Sequence, residues 1–249
     1  MKISIITVVW NNATTIKNAI DSVLFQTHNN IEYIVVDGAS TDGTVEIVQS
    51  YGDRISKFVS EKDKGLYVAM NKGIGVATGD IVGILNSDDF YMDEFVIEKV
   101  VKKFEEKCVD SIYADLIFVK PENLDKTVRY YDSGQFNPKK FAYGWMPAHP
   151  TFFVKREIYE KYGLFKTDYK IAADYELLTR FIGKNKISYS YIKEPIVKMR
   201  MGGASTSGIK SNYILNKEII RACKENGIYT NWLMVLSKYP KKILGLFKI

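Results

Sequence analysis

Two adjacent carboxylates, Asp88 and Asp89, follow the apolar run Ile81-Val82-Gly83-Ile84-Leu85 with only Asn86-Ser87 between. A short aliphatic run of this kind reads as a strand buried on both faces in the middle of a parallel sheet. In open α/β sheets ligands bind beyond the carboxyl ends of the strands, so the acidic pair stands where a site is expected. Side chains alternate along a strand end, which lets one carboxylate hold a sugar hydroxyl while the other holds a cation. The competing reading is a cap on the helix expected from Asp93-Glu94 onward. Asp37 repeats the pattern as the first residue past the strand run Ile31 to Val36. The small residues after it, Gly38-Ala39-Ser40-Thr41-Asp42-Gly43-Thr44, then open a helix, an arrangement that offers an acid and backbone amides to a nucleotide. Asp42 is more simply a helix cap.

A further acid, Asp174, heads the helical pattern Leu177, Leu178, Phe181 and Ile182. Either it caps that helix, or it faces a substrate across the open space that Ala172 and Ala173 would leave in front of it. Lys64 beside Gly65 has the freedom to reach a phosphate, whereas Asn71 and Lys72 read equally as solvated surface. The run Gly73-x-Gly75-x-x-x-Gly79 superficially suggests a dinucleotide fingerprint. Its context excludes that, because the glycines end a helical pattern and precede a strand instead of following one. His149 lies in Gly144 to Phe153, between a loop and a strand, with Trp145 nearby. A lone histidine there is ordinarily a satisfied structural group, and the Trp reads as ordinary core. Asp115, on one strand face with Tyr113, is left as a supporting group or a tolerated edge charge.

These residues need strands to present them. Ile3 to Val9 is a first central strand that places Thr7 and Asn11 near the ligand edge, and Ile16, Ala19, Ile20, Val23 and Leu24 mark a covering helix over 14–26. A short strand is expected over 55–59, a helix over 94–107, a strand over 111–119, and a loop with an edge strand over 121–131. Two terminal helices are expected over 211–225 and 230–247. The 249 residues suit one large α/β domain with appended pieces.

Composition limits the partners. Cys108 and Cys223 have no Cys-x-x-Cys spacing, which fits free thiols in a reducing compartment. No charged leader precedes Ile3 and no stretch of about 18 apolar residues occurs, so a cytoplasmic location is expected. The formal charge is +6, and after Glu225 no acid occurs while Lys238, Lys241, Lys242 and Lys248 do. With no aromatic-interleaved basic stripe elsewhere, an anionic membrane ranks above nucleic acid as the partner of that tail. Attachment is expected through 238–249, peripherally and at the inner face of the cell membrane.

The strand ending near Thr7, the run Val-Val-Asp37-Gly-Ala-Ser-Thr-Asp-Gly-Thr, Asp63-Lys-Gly-Leu-Tyr-x-Ala-Met-Asn71-Lys-Gly, Ala-Thr-Gly-Asp80-Ile and Leu-Asn86-Ser-Asp88-Asp89 follow one another in order. This succession resembles the family-2 inverting glycosyltransferases of bacterial surface polysaccharide assembly, closely over residues 2 to about 90 and more weakly to about 205. The resemblance implies a glycosyltransferase-A fold: an α/β, Rossmann-like, mostly parallel sheet flanked by helices, with C-terminal helices appended. It implies a catalytic domain over 1–205, divided into a nucleotide-sugar half (1–115) and an acceptor half (116–205), with a helical extension and basic tail over 206–249. It implies a nucleoside diphosphate sugar donor, with UDP the leading nucleotide by likeness, and a glycan or lipid-linked acceptor. Thr7, Asn11, Asp37, Lys64, Asn71 and Asp88 are then donor contacts, and Asp89 is the ligand of Mn²⁺ or Mg²⁺. Arg200, in a flexible basic loop of Val197 to Ser207, neutralises the diphosphate, Trp145 and His149 border the acceptor and diphosphate, and Asp174 is the catalytic base. Asn86 stands where many relatives have Asp, which weakens a metal role for it. Oxygen donors suit Mg²⁺ or Mn²⁺, and two histidines without paired cysteines argue against a zinc cage. The rivals are a nucleotidyltransferase, which would carry a Gly-rich basic loop after the first strand in place of Trp10-Asn11-Asn12, and a non-catalytic sugar-nucleotide sensor.

Overall fold

Parallel strands in the centre of a sheet are covered on both faces, and the aliphatic runs of this chain occupy that position. In the computed structural model, which describes residues 1–202 and 208–239, β1 (Ile3–Val9), β2 (Ile31–Asp37), β3 (Lys57–Ser60) and β4 (Ile81–Ile84) lie parallel in the order β3-β2-β1-β4. Alternate residues serve opposite cores. Ile3, Ile5, Val9, Tyr33 and Val35 pack under α1 (Ile16–Leu24), α2 (Thr44–Gln49) and α4 (Val96–Lys107). Ile6, Val8, Ile34 and Val36 pack against α3 (Leu66–Val76), and α5 (Arg156–Tyr162), α6 (Ala173–Leu178) and α7 (Ile209–Glu225) extend the same core.

The sheet continues past β4 without a break. β8 (Phe153–Lys155) pairs antiparallel with β4, followed by β6 (Ser111–Lys120), β9 (Tyr189–Arg200) and β5 (Phe90–Tyr91), with β7 (Asn123–Tyr131) as an edge partner of β6. β6 and β9 are parallel. Asp115 ties these strands together: fully hydrogen-bonded within the sheet, it accepts from the hydroxyls of Tyr130 (2.6 Å) and Tyr191 (2.7 Å) and from the Ser133 amide (2.6 Å). It is a supporting group.

Three expectations change. The helix does not stop before the glycines, because α3 includes Gly73 and Gly75. A Cβ on Gly73 would lie 2.4 Å from Cγ2 of Ile6, so this glycine is there to seat the helix on β1. Residues 197–200 belong to β9 and not to a flexible loop, while Gly203 to Ser207 lie outside the described residues. The last helix, α8, covers Trp232–Leu236, and 240–249 also lie outside the description. No helix among the described residues is long and apolar enough to cross a membrane.

Candidate active site

The four parallel strands end along one edge, and side-chain hydrogen bonds knit the loops beyond them. The Asn11 amide donates to Ser40 Oγ (2.7 Å) while its side-chain oxygen accepts from the Thr41 amide (2.8 Å). Asn12 Nδ2 donates to Ser87 Oγ (2.9 Å), and the Thr15 hydroxyl donates to the Ser87 carbonyl (2.9 Å). Asn11 (φ 47°) and Ala39 (φ 62°) hold left-handed backbone, which costs a side-chain-bearing residue about 1 kcal/mol or more. Strain retained at a rim, and held there by hydrogen bonds, points to a built surface. Asp42, read as a helix cap, stands one residue ahead of the N-cap Gly43 of α2, and its carboxylate accepts from the first amide of that helix, Thr44 (3.1 Å), and from the Ala13 amide (3.0 Å).

The acidic pair divides by exposure. Asp88 is half-buried, and its carbonyl accepts from Arg200 Nη1. Asp89 is fully buried; one carboxylate oxygen accepts from Asn86 Nδ2 (3.1 Å), and the other, Oδ1, has no hydrogen-bond partner. Burial first, then the charge of Asp88, push the Asp89 carboxyl well above the ordinary carboxylate range, with Asn86 and Arg200 opposing. A buried carboxylate oxygen without a partner is costly. A cation would supply the missing partner, and the oxygen-only donor set fits Mg²⁺ or Mn²⁺. No cluster of three or more His, Cys, Asp or Glu suited to a metal exists among the described residues, so further ligands would have to come from a bound substrate.

The second half of the site is built around Asp174. β8 runs antiparallel to β4, from Gly83 opposite Phe153 to Ile81 opposite Lys155, so the residues just before β8 lie beyond the carboxyl end of β4. The His149–Thr151 turn therefore leaves the sheet level with the start of the acidic loop. His149 Nδ1 is 3.3 Å from Asp174 Oδ2, with the two side chains 30% and 20% exposed. Burial raises the Asp174 carboxyl above its ordinary range, and the charge of His149 pulls it back. Asp174 is not the N-cap of α6; Ala172 holds that position, and Asp174 Oδ1 accepts only from the next amide, Tyr175 (2.7 Å). The segment that leads into α6 is anchored from α7. Glu218, buried, accepts from the amides of Lys170 (2.7 Å), Ile171 (2.9 Å) and Ala172 (2.9 Å), and the Tyr67 hydroxyl donates to the Ile171 carbonyl (2.5 Å). Behind Asp174, fully buried Glu176 is held by Arg180 and by Lys166 (3.1 Å). Glu218→Ala is therefore expected to cost about 2 to 4 kcal/mol of stability, since hydrogen bonds to a charged group are worth about 1.5 to 3 kcal/mol each and do not add fully. Chemical denaturation checks this, and an unchanged midpoint would remove Glu218 as the support of Asp174.

The structure corrects several assignments. Thr7 is fully buried, and its hydroxyl accepts from Tyr33 (3.0 Å), so it faces the core under α1 and not the ligand edge. Asp37 is also fully buried, and its carboxylate accepts from Ser40 Oγ (2.5 Å), the Ser40 amide (3.0 Å) and Ser60 Oγ (2.7 Å). It shapes the rim, and a ribose hydroxyl would have to displace one of these serines. Asn71 clamps the backbone of Phe165, accepting from its amide (2.9 Å) and donating to its carbonyl (2.8 Å), which commits it to joining α3 to the segment after α5. Arg200 is buried under the acidic loop with Nη2 on Asn18 Oδ1 (3.1 Å) and its guanidinium 4.9 Å from the Phe90 ring centre. It braces that loop from beneath. Ala172 and Ala173 are packed into the core and leave no open space.

Asn11, Asp88, Asp89, His149 and Asp174 remain at the edge, and Lys64 is exposed there without a hydrogen bond or ion pair among the described residues. Trp145 is half-buried, 5.8 Å from the Tyr131 ring and under the ammonium of Lys140 (5.6 Å). Two residues escaped sequence reasoning. Glu218 left no local signal, whereas Trp10, the first residue past β1, did: its indole is 70% exposed and lies against Gly38, where a Cβ would come within 3.3 Å of it. A surface groove of about 560 Å³ between α5 and Asn185–Ile187, beside Asp110 just ahead of β6, lies at the opposite end of the sheet.

Comparison with known proteins gives this geometry a setting. The model of glycosyl transferase family 2 matches residues 4–163. An uncharacterised glycosyltransferase of Rickettsia typhi is 30% identical over 98% of this chain and 87% of its own length. A PGL/p-HBAD biosynthesis glycosyltransferase of Mycobacterium tuberculosis is 24% identical over 88% of this chain and 82% of its own. Among solved structures, Staphylococcus aureus TarS 1–349 in complex with UDP-GlcNAc has a TM-score of 0.71 at 16% identity, covering 92% of this chain and 68% of that one. The mannosyltransferase PcManGT of Pyrobaculum calidifontis, in complex with GDP-Man and Mn²⁺, has a TM-score of 0.63 at 18% identity, covering 99% and 81%. At such identities the solved structures show a shared fold.

Proposed function

The chain belongs to glycosyl transferase family 2, and on that premise we propose that it moves a sugar from a nucleoside diphosphate sugar to a hydroxyl of a glycan or lipid-linked acceptor, with inversion at the anomeric carbon. The reaction is placed at the inner face of the cell membrane, in capsule, O-antigen or exopolysaccharide assembly. The observation that carries the reading is Asp174: a part-exposed carboxylate with a raised pKa, paired with His149 and held level with a second acidic loop.

An acceptor hydroxyl is a poor nucleophile at neutral pH. Asp174 takes its proton as the oxygen attacks the anomeric carbon and the bond to the diphosphate breaks. His149 orients Asp174. Residues 1–115 hold the donor: the exposed face of Trp10 stacks on the base, which is worth about 1 to 3 kcal/mol for an aromatic platform. Lys64 meets phosphate charge, Asn11 lines the rim, and Asp88 holds a sugar or ribose hydroxyl. Residues 116–205 frame the acceptor, with Trp145 along it, and 206–249 form an extension. Asp89, with Asp88 beside it, would hold Mn²⁺ or Mg²⁺, whose charge when bound stabilises the departing diphosphate. With the leaving group stabilised there, one carboxylate suffices where glycosidases use two.

The resemblance favours UDP, and the UDP-GlcNAc bound to TarS supports it, but PcManGT binds GDP-Man, so the test covers both bases. A thermal-shift panel of UDP- and GDP-sugars with Mn²⁺ is expected to single out one donor. At a hundred times its dissociation constant a ligand stabilises by about 2.7 kcal/mol, a shift of about 5 to 10 °C at this size. No shift with any nucleotide sugar would contradict the reading. A nucleotidyltransferase or a sensor would shift too, but would release or transfer no sugar.

A further inference from the structure

Apolar exposure is concentrated near the C-terminal end of the described chain. Trp232, Leu233 and Leu236 of α8 are 41%, 82% and 42% exposed, at the spacing of one helix face, and Tyr229, in the loop just before the helix, is 78% exposed. Tyr213 of α7, 57% exposed, stacks on Trp232 with ring centres 5.7 Å apart. The other side of the same segment carries Val235 and Lys238, both buried against the body. α8 thus turns its larger apolar face outward, the reverse of an ordinary surface helix. A contiguous exposed apolar stripe marks an interaction surface.

Composition identifies its occupant. Tyr and Trp beside an aliphatic pair suit a membrane interface, where one end of the ring is dry and the other wet. No acid follows Glu225, and Lys241, Lys242 and Lys248 follow the stripe closely in sequence, which complements anionic headgroups. Lys238 does not join them, a correction to the charge expected of the tail, because it packs with Val235 around Gly144. That packing also fixes where the stripe lies. The Thr230 hydroxyl donates to the Ala142 carbonyl (2.5 Å), Tyr143 is 45% exposed, and the chain runs on from Gly144 through Trp145 to His149.

We infer that the Tyr229–Leu236 stripe, with Tyr213, inserts into the interfacial layer of an anionic membrane and sets the Trp145–His149 side of the site against it. An acceptor carried by a lipid would then meet Asp174 from the bilayer side. The inference deepens the proposed function as regards the acceptor, while insertion itself rests on the stripe.

Flotation of the full chain with vesicles of phosphatidylglycerol and phosphatidylcholine, against phosphatidylcholine alone, tests it, alongside Leu233→Asp/Leu236→Asp and the milder Leu233→Ser/Leu236→Ser. Both leucines are exposed, so the variants should melt with the wild type. The wild type is expected to float with the anionic vesicles with a blue-shifted tryptophan emission, and the Asp pair to bind roughly 10- to 100-fold more weakly, the Ser pair less so. Equal flotation of all three, or none by the wild type, overturns the inference. So does a concentration-dependent dimer that the Asp pair abolishes without any change in flotation, which would make a second copy the occupant. Donor thermal shift on the same proteins without vesicles separates the two readings: a normal shift with equal flotation of wild type and variants rejects only the membrane surface, and flotation kept by the wild type and weakened in the variants, with no donor shift in any protein, rejects only the transferase reading.

Discussion

Asp174→Asn is expected to lose about 10²- to 10⁴-fold in turnover, or roughly 3 to 5 kcal/mol of transition-state stabilisation, while folding and binding donor like the wild-type chain. The loss follows from the role. A carboxylate that removes a proton at the transition state has no substitute in an amide of the same shape. The fold should tolerate the change, because the segment 170–172 that leads into α6 is held by Glu218 and not by Asp174. The pH dependence has a defined sign. Burial holds the Asp174 carboxyl above its ordinary range, so the acid limb of the rate should rise with pH only as that displaced group ionises. The folded chain also keeps the Asp174 proton to higher pH than the unfolded chain. The contribution of this group to stability is complete below the ordinary carboxylate value and is lost as pH rises through the folded value. Asn at 174 removes that loss, so the variant should melt no lower than the wild type at neutral pH. A variant that melts normally and turns over at the wild-type rate would remove Asp174 from the chemistry.

Asp89→Asn has the second large effect, on metal-dependent donor binding. Its Oδ1 is the buried oxygen without a partner, and loss of a direct ligand should exceed the roughly 10- to 100-fold that loss of an outer-shell partner costs. Isothermal titration of donor with and without Mn²⁺ measures this. In metal-free buffer the variant should be at least as stable as the wild type, since a neutral amide is cheaper to bury than an unpaired carboxylate. Donor affinity that is the same with and without Mn²⁺ in both proteins would exclude Asp89 as a ligand, whatever happens to activity.

How far the sequence reached depends on what each residue's partners are. β1, β2 and β4 were legible because a strand buried on both faces has to be apolar throughout, and the acids at their ends stand out against that background. The same uniformity hid the face of Thr7: with no polar alternation along β1, nothing shows which side each residue takes. Asn71 and Arg200 are residue types that serve a ligand or a backbone carbonyl equally well, and their partners, Phe165 and Asp88, are 94 and 112 positions away. β9 was obscured by Lys193-Glu194-Pro195, which breaks the strand pattern where β6 and β9 shift register. Glu218 had no local signature because its three partners are main-chain amides 46 to 48 residues away. The fold is of the glycosyltransferase-A type, as the motif order implied, with its parallel half carrying the acidic loop.

The most direct measurement needs no acceptor. Nucleotide-sugar transferases hydrolyse donor slowly when water takes the acceptor's place, and proton NMR reads the anomer of the first sugar released, before it equilibrates. With an α-linked donor identified from the panel, attack by water under Asp174 predicts the β-anomer first. Release of the α-anomer first would contradict a single inverting displacement at this site.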